Sequence, residues 1–316
     1  MSKFRGALFA GILQSSAFSG VQAHDGAYCA AQGRPKIEFV EIQSEKLAFN
    51  PGVPGGVVSQ GALTVKAKLS LPGKRHCRGK HAGLPAVVIL HGSAGVDARG
   101  DFYASELQQA GIATLELDMW EARGVASAAN RPALPILTYP DAFAALEFLS
   151  NQAEIDPERI GVLGFSWGGI MTLASATEQV TQQYGGGRHF KAHVANYPLC
   201  YGYNNPRLPY FSFGSPNGNP LTGAPVLIQI GELDEYDEST APCLALKAGL
   251  AADEQALVDV VSYPDATHAW DRLMVPIAIT DNFSHLGRGG TVNMIPNVEK
   301  AYDAREKTVR FFKRKL

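Results

Sequence analysis

Gly164-Phe165-Ser166-Trp167-Gly168-Gly169 follows the apolar run Ile160 to Leu163 and opens a helical pattern. A serine between glycines two positions away on each side fits a sharp strand-to-helix turn. Such a turn lifts the hydroxyl clear of the sheet, above a helix N-terminus whose dipole favours developing negative charge. The chemistry this prepares is nucleophilic attack, and a serine hydroxyl needs a base to take its proton. In this arrangement the acid follows the serine in the chain and the histidine comes last. His268 lies in Tyr263-Pro264-Asp265-Ala266-Thr267-His268-Ala269-Trp270, just after the last expected strand, and is the candidate base. The other histidines, among them His24, His76, His81, His189, His193 and His285, read as surface or satisfied core residues.

The acid belongs to the preceding strand end. Val226 to Ile230 runs into a loop with five acids, Glu232, Asp234, Glu235, Asp237 and Glu238. Asp234 is the first aspartate after the turn and the candidate to orient His268; Asp237 is the runner-up. An oxyanion needs two donors. The backbone N–H groups expected to supply them are those of Trp167, just after the serine, and Ser93, in the loop His91-Gly92-Ser93-Ala94-Gly95. His91 reads as a residue that shapes this loop.

These residues need a scaffold that brings several strand ends together. Leu63, Val65, Ala67, Leu69 and Leu71 alternate with polar residues, which marks a strand wet on one face. Together with a strand over Lys36 to Gln43 it predicts an antiparallel N-terminal edge. Ala86 to Leu90 is apolar throughout, as a strand covered on both faces should be. Strands at Ile112 to Leu117, Ile160 to Phe165, Ala192 to Tyr197, Val226 to Ile230 and Leu257 to Tyr263 alternate with helices at Asp101 to Ala110, from Pro140, from Trp167 and near the C-terminus. That order predicts an α/β fold, a mostly parallel sheet with helices on both faces. Leu199 to Gly223 and Arg272 to Pro296 lack periodicity and read as irregular binding segments beside the strand ends. Tyr197, Tyr201, Tyr203, Tyr210, Phe211 and Phe213 indicate an aromatic wall there.

The set His91-Gly92-Ser93-Ala94-Gly95, Gly164-Phe165-Ser166-Trp167-Gly168-Gly169, Gly231-Glu232-Leu233-Asp234 and Pro264-Asp265-Ala266-Thr267-His268-Ala269-Trp270 resembles the dienelactone hydrolase family. The resemblance runs from about Leu63 to the C-terminus. It implies an α/β-hydrolase fold without a large cap, hydrolysis of esters or lactones without a cofactor, and triad roles for Ser166, Asp234 and His268. The chain departs from dienelactone hydrolase itself in having Ser166 where that enzyme has cysteine, and Gly92 where it has glutamate. Arg123 is the candidate match for the arginines that grip a substrate carboxylate; Tyr201 and Trp270 are the other candidate substrate contacts. A peptidase or amidase could use the same triad, but an amide needs a protonated leaving nitrogen and a defined acyl pocket. A non-catalytic binding protein would carry a degraded triad, and here all three positions are filled.

Composition bounds the remaining classes. The 316 residues are 46% hydrophobic and 18% charged, which suits a large buried core. A net charge of −2 argues against nucleic acid or an anionic membrane surface as the main partner. The basic run Lys74 to His81 reads as a solvated loop. No metal-ligand cluster and no phosphate loop appears, so no cofactor is expected; a small ester or lactone is the expected partner, and oligomeric state is not legible. Lys3 and Arg5, the short apolar run Ala7 to Phe18 and the small residues before His24 describe a signal peptide over 1–23. That run is shorter than the roughly 20 residues that span a bilayer. The mature chain is then a single domain, 24–316, secreted or periplasmic. Its four cysteines could pair there, with Cys29–Cys77 and Cys200–Cys243 favoured by their places in the expected topology; free buried thiols are the alternative.

Overall fold

A computed structural model describes residues 34–53, 56–73, 83–208 and 211–316. The expected signal peptide, the expected Cys29–Cys77 pairing, the basic run Lys74 to His81 and Tyr210 lie outside these residues. The alternating segment becomes the second half of a long hairpin. Strand β1 (Lys36–Phe49) pairs antiparallel with β2 (Val57–Leu71). Both strands run further than hydrophobic alternation predicts. Paired backbones satisfy one another even where side chains face water, as they do over most of Val57 to Ala62.

The apolar runs form β3 (Leu84–Leu90), β4 (Ala113–Asp118), β5 (Ile155–Phe165), β6 (His193–Asn196), β7 (Val226–Leu233) and β8 (Val258–Thr267). The sheet order is β1-β2-β4-β3-β5-β6-β7-β8; β2 meets β4 antiparallel, and every pair from β4 to β8 is parallel. The helices are α1 (Ala98–Gln109), α2 (Tyr139–Ser150), α3 (Trp167–Ser175), α4 (Glu178–Tyr184), α5 (Cys200–Tyr203), α6 (Ala241–Ala248), α7 (Ala252–Gln255), α8 (Ser284–Gly287) and α9 (Val298–Lys315).

Why β3 and the Ile160–Phe165 part of β5 carry no polar side chain is visible in their packing. Val87, Ile89, Leu163 and Phe165 join a core with Tyr103 and Leu107 of α1 and Phe311 and Phe312 of α9. Ala86, Val88, Leu90, Ile160 and Val162 join a second core with Phe143, Leu146 and Leu149 of α2. Successive side chains on a strand point to opposite faces, so a strand between two helical layers needs apolar residues throughout. One expectation fails: Arg272 to Pro296 is not wholly irregular. It holds a two-stranded antiparallel sheet, β9 (Ile277–Asp281) with β10 (Gly290–Met294). Among the described residues no helix is long and apolar enough to cross a membrane.

Candidate active site

The turn from β5 into α3 is as tight as its glycines require. Ser166 sits at φ 49, ψ −105, a strained backbone for a residue with a side chain. A Cβ on Gly164 would stand 2.0 Å from the Gly168 carbonyl oxygen, and one on Gly168 would stand 2.2 Å from that of Leu90. Neither position admits another residue without backbone movement. The Ser166 N–H donates to the Asn196 carbonyl of β6 at 3.0 Å, which fixes the turn to the neighbouring strand.

His268 follows directly on β8 and Asp234 directly on β7. The structure brings both to Ser166. His268 Nε2 is 2.9 Å from Ser166 Oγ, and His268 Nδ1 is 2.8 Å from Asp234 Oδ2. A neutral imidazole satisfies both contacts when Nδ1–H donates to the carboxylate and Nε2 accepts from the hydroxyl. The Tyr236 N–H donates to Asp234 Oδ1 at 2.8 Å, so the carboxylate is held at both oxygens. Two aromatic rings confine the imidazole: Tyr236 at 4.4 Å between centroids and Tyr197, edge-on, at 4.8 Å. Asp237 points elsewhere. It accepts the N–H groups of Cys200 at 2.9 Å and Tyr201 at 2.7 Å. Burial, and then the negative charge of Asp234, push its carboxyl above the ordinary range.

The loop after β3 lies against this turn. Its Gly95 N–H closes on the Gly92 carbonyl at 3.0 Å, and the Gly168 N–H of α3 donates to the His91 carbonyl at 3.2 Å. His91 is the brace beneath it. Its Nδ1–H donates to the Gly92 carbonyl at 2.8 Å, and its Nε2 accepts the Met119 N–H at 3.0 Å. Burial pushes His91 down to about 4, which keeps the ring neutral. The Ser93 carbonyl is held by the Trp120 indole N–H at 2.9 Å. Ser93 and Trp167 line one pocket together with Ser166. The Trp167 N–H belongs to the first turn of α3, where helix geometry supplies no carbonyl partner.

That pocket encloses about 560 Å³, part of it open to solvent, with Tyr201 among its walls. The two other expected substrate contacts do not line it. The Arg123 guanidinium donates to Asp141 at 2.7 and 3.1 Å and to the Met119 carbonyl at 2.9 Å, so its donors are turned into the protein. Trp270 is fully buried and packs on Tyr197 and Tyr263, each at 5.0 Å. The arginine that does line the pocket is Arg131, with Asp281 and Tyr236, and sequence reasoning missed all three. Cys200 and Cys243 are joined as a disulfide, Cα atoms 5.0 Å apart, which ties the wall carrying Tyr201 to the segment after the acid loop.

Fold and geometry together define an α/β-hydrolase: a mostly parallel sheet, a strained serine at its C-terminal edge, and a histidine and aspartate from the next strand ends. The chain belongs to the dienelactone hydrolase family, whose model matches residues 75–316, and is accordingly a carboxylic-ester hydrolase. Similar solved structures include a dienelactone hydrolase from Anabaena variabilis, 17% identical, covering 90% of this chain and 100% of that one with a TM-score of 0.53. An esterase from Pyrobaculum calidifontis is 15% identical, covering 88% and 85%, TM-score 0.52. The carboxylesterase EstE1 from a metagenomic library is 18% identical, covering 89% of each chain, TM-score 0.50. At these identities the likeness is one of fold. No match was found among curated protein sequences.

Proposed function

We propose that the chain hydrolyses carboxylic esters or lactones through a covalent acyl-enzyme, with Ser166 as nucleophile, His268 as general base and Asp234 as the acid that orients it. The observation that carries this reading is the continuous hydrogen-bonded line from Asp234 Oδ2 to His268 at 2.8 Å and from His268 to Ser166 Oγ at 2.9 Å. Ser166 Oγ attacks the ester carbonyl while His268 Nε2 takes its proton. The Ser93 and Trp167 N–H groups receive the oxyanion. His268 then gives the proton to the leaving alkoxide, and the C–O bond breaks. A water, deprotonated by the same nitrogen, attacks the acyl-enzyme; the acyl–Oγ bond breaks as His268 returns the proton to Ser166 Oγ, and the acid leaves. Asp234 holds the imidazolium that forms in each half; Tyr201 serves as a substrate-facing wall, and Trp270 supports the ring of Tyr197 behind His268. Residues 24–316 act as one hydrolase domain. We also infer export behind a signal peptide over 1–23, to an oxidising compartment that suits the Cys200–Cys243 disulfide.

The test is labelling with a fluorophosphonate and mapping of the adduct by mass spectrometry, which should fall on Ser166. Ser166→Ala should lose the label and lower kcat by about 10³–10⁶-fold with an unchanged melting temperature. A folded Ser166→Ala protein with near-normal esterase rates would overturn the assignment.

A further inference from the structure

The pocket in front of Ser166 is built mainly of apolar side chains, among them Leu134, Pro135, Ile170, Leu199 and Phe211. The ionic side chains among its described lining residues are two, Arg131 and Asp281, and they are spent on each other. Arg131 Nη2 donates to both Asp281 oxygens, at 3.0 and 2.8 Å. Its Nη1 donates to the Ala128 carbonyl at 2.7 Å. Asp281 is saturated further by the Tyr236 hydroxyl at 2.9 Å and the Phe283 N–H at 2.9 Å. The guanidinium lies 5.8 Å from the ring centres of both Trp167 and Phe283. The two side chains are only 15% and 4% exposed.

We infer that the Arg131–Asp281 pair determines specificity: it makes the pocket electrically neutral, so that the enzyme takes uncharged esters with an apolar group and rejects esters that carry a carboxylate. This rests on the assignment of Ser166 as nucleophile. The physical reason is the alternative a charged substrate faces. A substrate carboxylate meets no free cation among the described lining residues. At Arg131 it meets Asp281 on the same guanidinium: either two carboxylates crowd one cation, or Asp281 gives way and is left buried without its counter-charge among apolar side chains. The hexanoyl chain of a neutral ester meets no such obstacle and gains by leaving water.

The experiment compares kcat/KM for 4-nitrophenyl hexanoate and the mono-4-nitrophenyl ester of adipic acid, equal in chain length and different by one carboxylate. The wild-type protein should prefer the neutral ester by about 100-fold or more, from the lower end of the scale on which breaking a buried ion pair acts. Asp281→Asn should leave Arg131 with an unspent charge and narrow that ratio by at least about tenfold, mainly through KM for the adipate. The double variant Arg131→Gln/Asp281→Asn, neutral again, should restore the preference. A wild-type enzyme indifferent to the carboxylate, or an Asp281→Asn enzyme with an unchanged ratio, would overturn the inference. The wild-type ratio decides the matter even if Asp281→Asn does not fold. Failure to hydrolyse either ester, with no fluorophosphonate adduct on Ser166, would instead remove the nucleophile assignment and this inference with it.

Discussion

Two chains of buried polar groups meet at the ring of His268, and they are finished differently. The first runs from Asp234 through His268 to Ser166 and ends at a hydroxyl that lines the pocket. The second lies behind the ring. Asp97 grips Arg99 at 2.8 and 2.7 Å; Arg99 donates to the Tyr197 hydroxyl at 3.1 Å; that hydroxyl donates to Asp271 Oδ1 at 2.5 Å. Asp271 Oδ2 also accepts from the Tyr103 hydroxyl at 2.7 Å and from Asn196 at 3.1 Å. Asn196 in turn accepts from Gln229, which accepts from the Tyr263 hydroxyl. The second chain closes on itself within the protein. Chemistry needs a group whose last partner is the substrate; shape needs groups with every partner supplied.

The comparison is broken most severely at the acids. Asp234→Asn removes the acceptor that fixes the His268 tautomer and should lower kcat by about 10⁴-fold, read from initial rates on a neutral ester. Asp237→Asn should stay within about tenfold of wild type, because Asp237 holds the Cys200 and Tyr201 N–H groups and makes no bond to the imidazole. Its signature is a pH trend. The raised native carboxyl keeps a proton that the unfolded chain loses above its ordinary 3.8, so its contribution to stability falls as pH rises. Urea unfolding should therefore rank Asp237→Asn better against wild type at pH 8 than at pH 5. Reversal of the two rate losses would move the acid role to Asp237.

Next comes the closed chain. Asp271→Ala leaves three buried donors, on Tyr103, Asn196 and Tyr197, short of an acceptor, and should cost about 3–5 kcal/mol of stability by urea unfolding. Rates per folded molecule should stay within about tenfold of wild type. A stable Asp271→Ala protein that has lost its activity would show that the second chain takes part in the chemistry.

The smallest effect tests the brace under the loop after β3. His91 is held down to about 4 from an ordinary 6.5, so on acidification the unfolded chain takes the proton first. The stability due to its neutral ring is whole above about pH 6.5 and is lost as pH falls toward 4, by about 3 kcal/mol in all. His91→Gln, which cannot be protonated, should flatten that part of the stability–pH curve. An unchanged slope would mean that the ring takes up its proton alike in the folded and unfolded chains.

What a single sequence makes legible follows from how local the cause is. The turn at Ser166 depends on Gly164 and Gly168, and the buried strands on apolar runs, so both can be read within a dozen residues. The order of serine, acid and base then carries the reading to Asp234 and His268. Hairpin β9–β10 was not legible because Ile277-Ala278-Ile279-Thr280-Asp281 is half exposed and its partner Gly290-Thr291-Val292-Asn293-Met294 has only two apolar side chains, too few to mark a strand. Arg131 and Asp281 pair across 150 positions, and no local pattern announces such a contact. Arg123 was misjudged for the same reason, its partner Asp141 being set by the packing of α2. Asp271 stood three residues beyond His268, but only the fold reveals that Tyr103, Asn196 and Tyr197 converge on it.

The Cys200–Cys243 disulfide closes a ring whose ends are 43 positions apart, and that ring contains β7 and Asp234. A chain so closed has fewer unfolded arrangements to escape into, an advantage of about 4 kcal/mol by loop entropy. The same crosslink makes the order of events during biogenesis matter. Before oxidation, the wall of the pocket and the strand that delivers the acid must find each other as distant parts of a free chain. After it, they cannot part, and a molecule that is pulled open elsewhere closes again from a ring already in place.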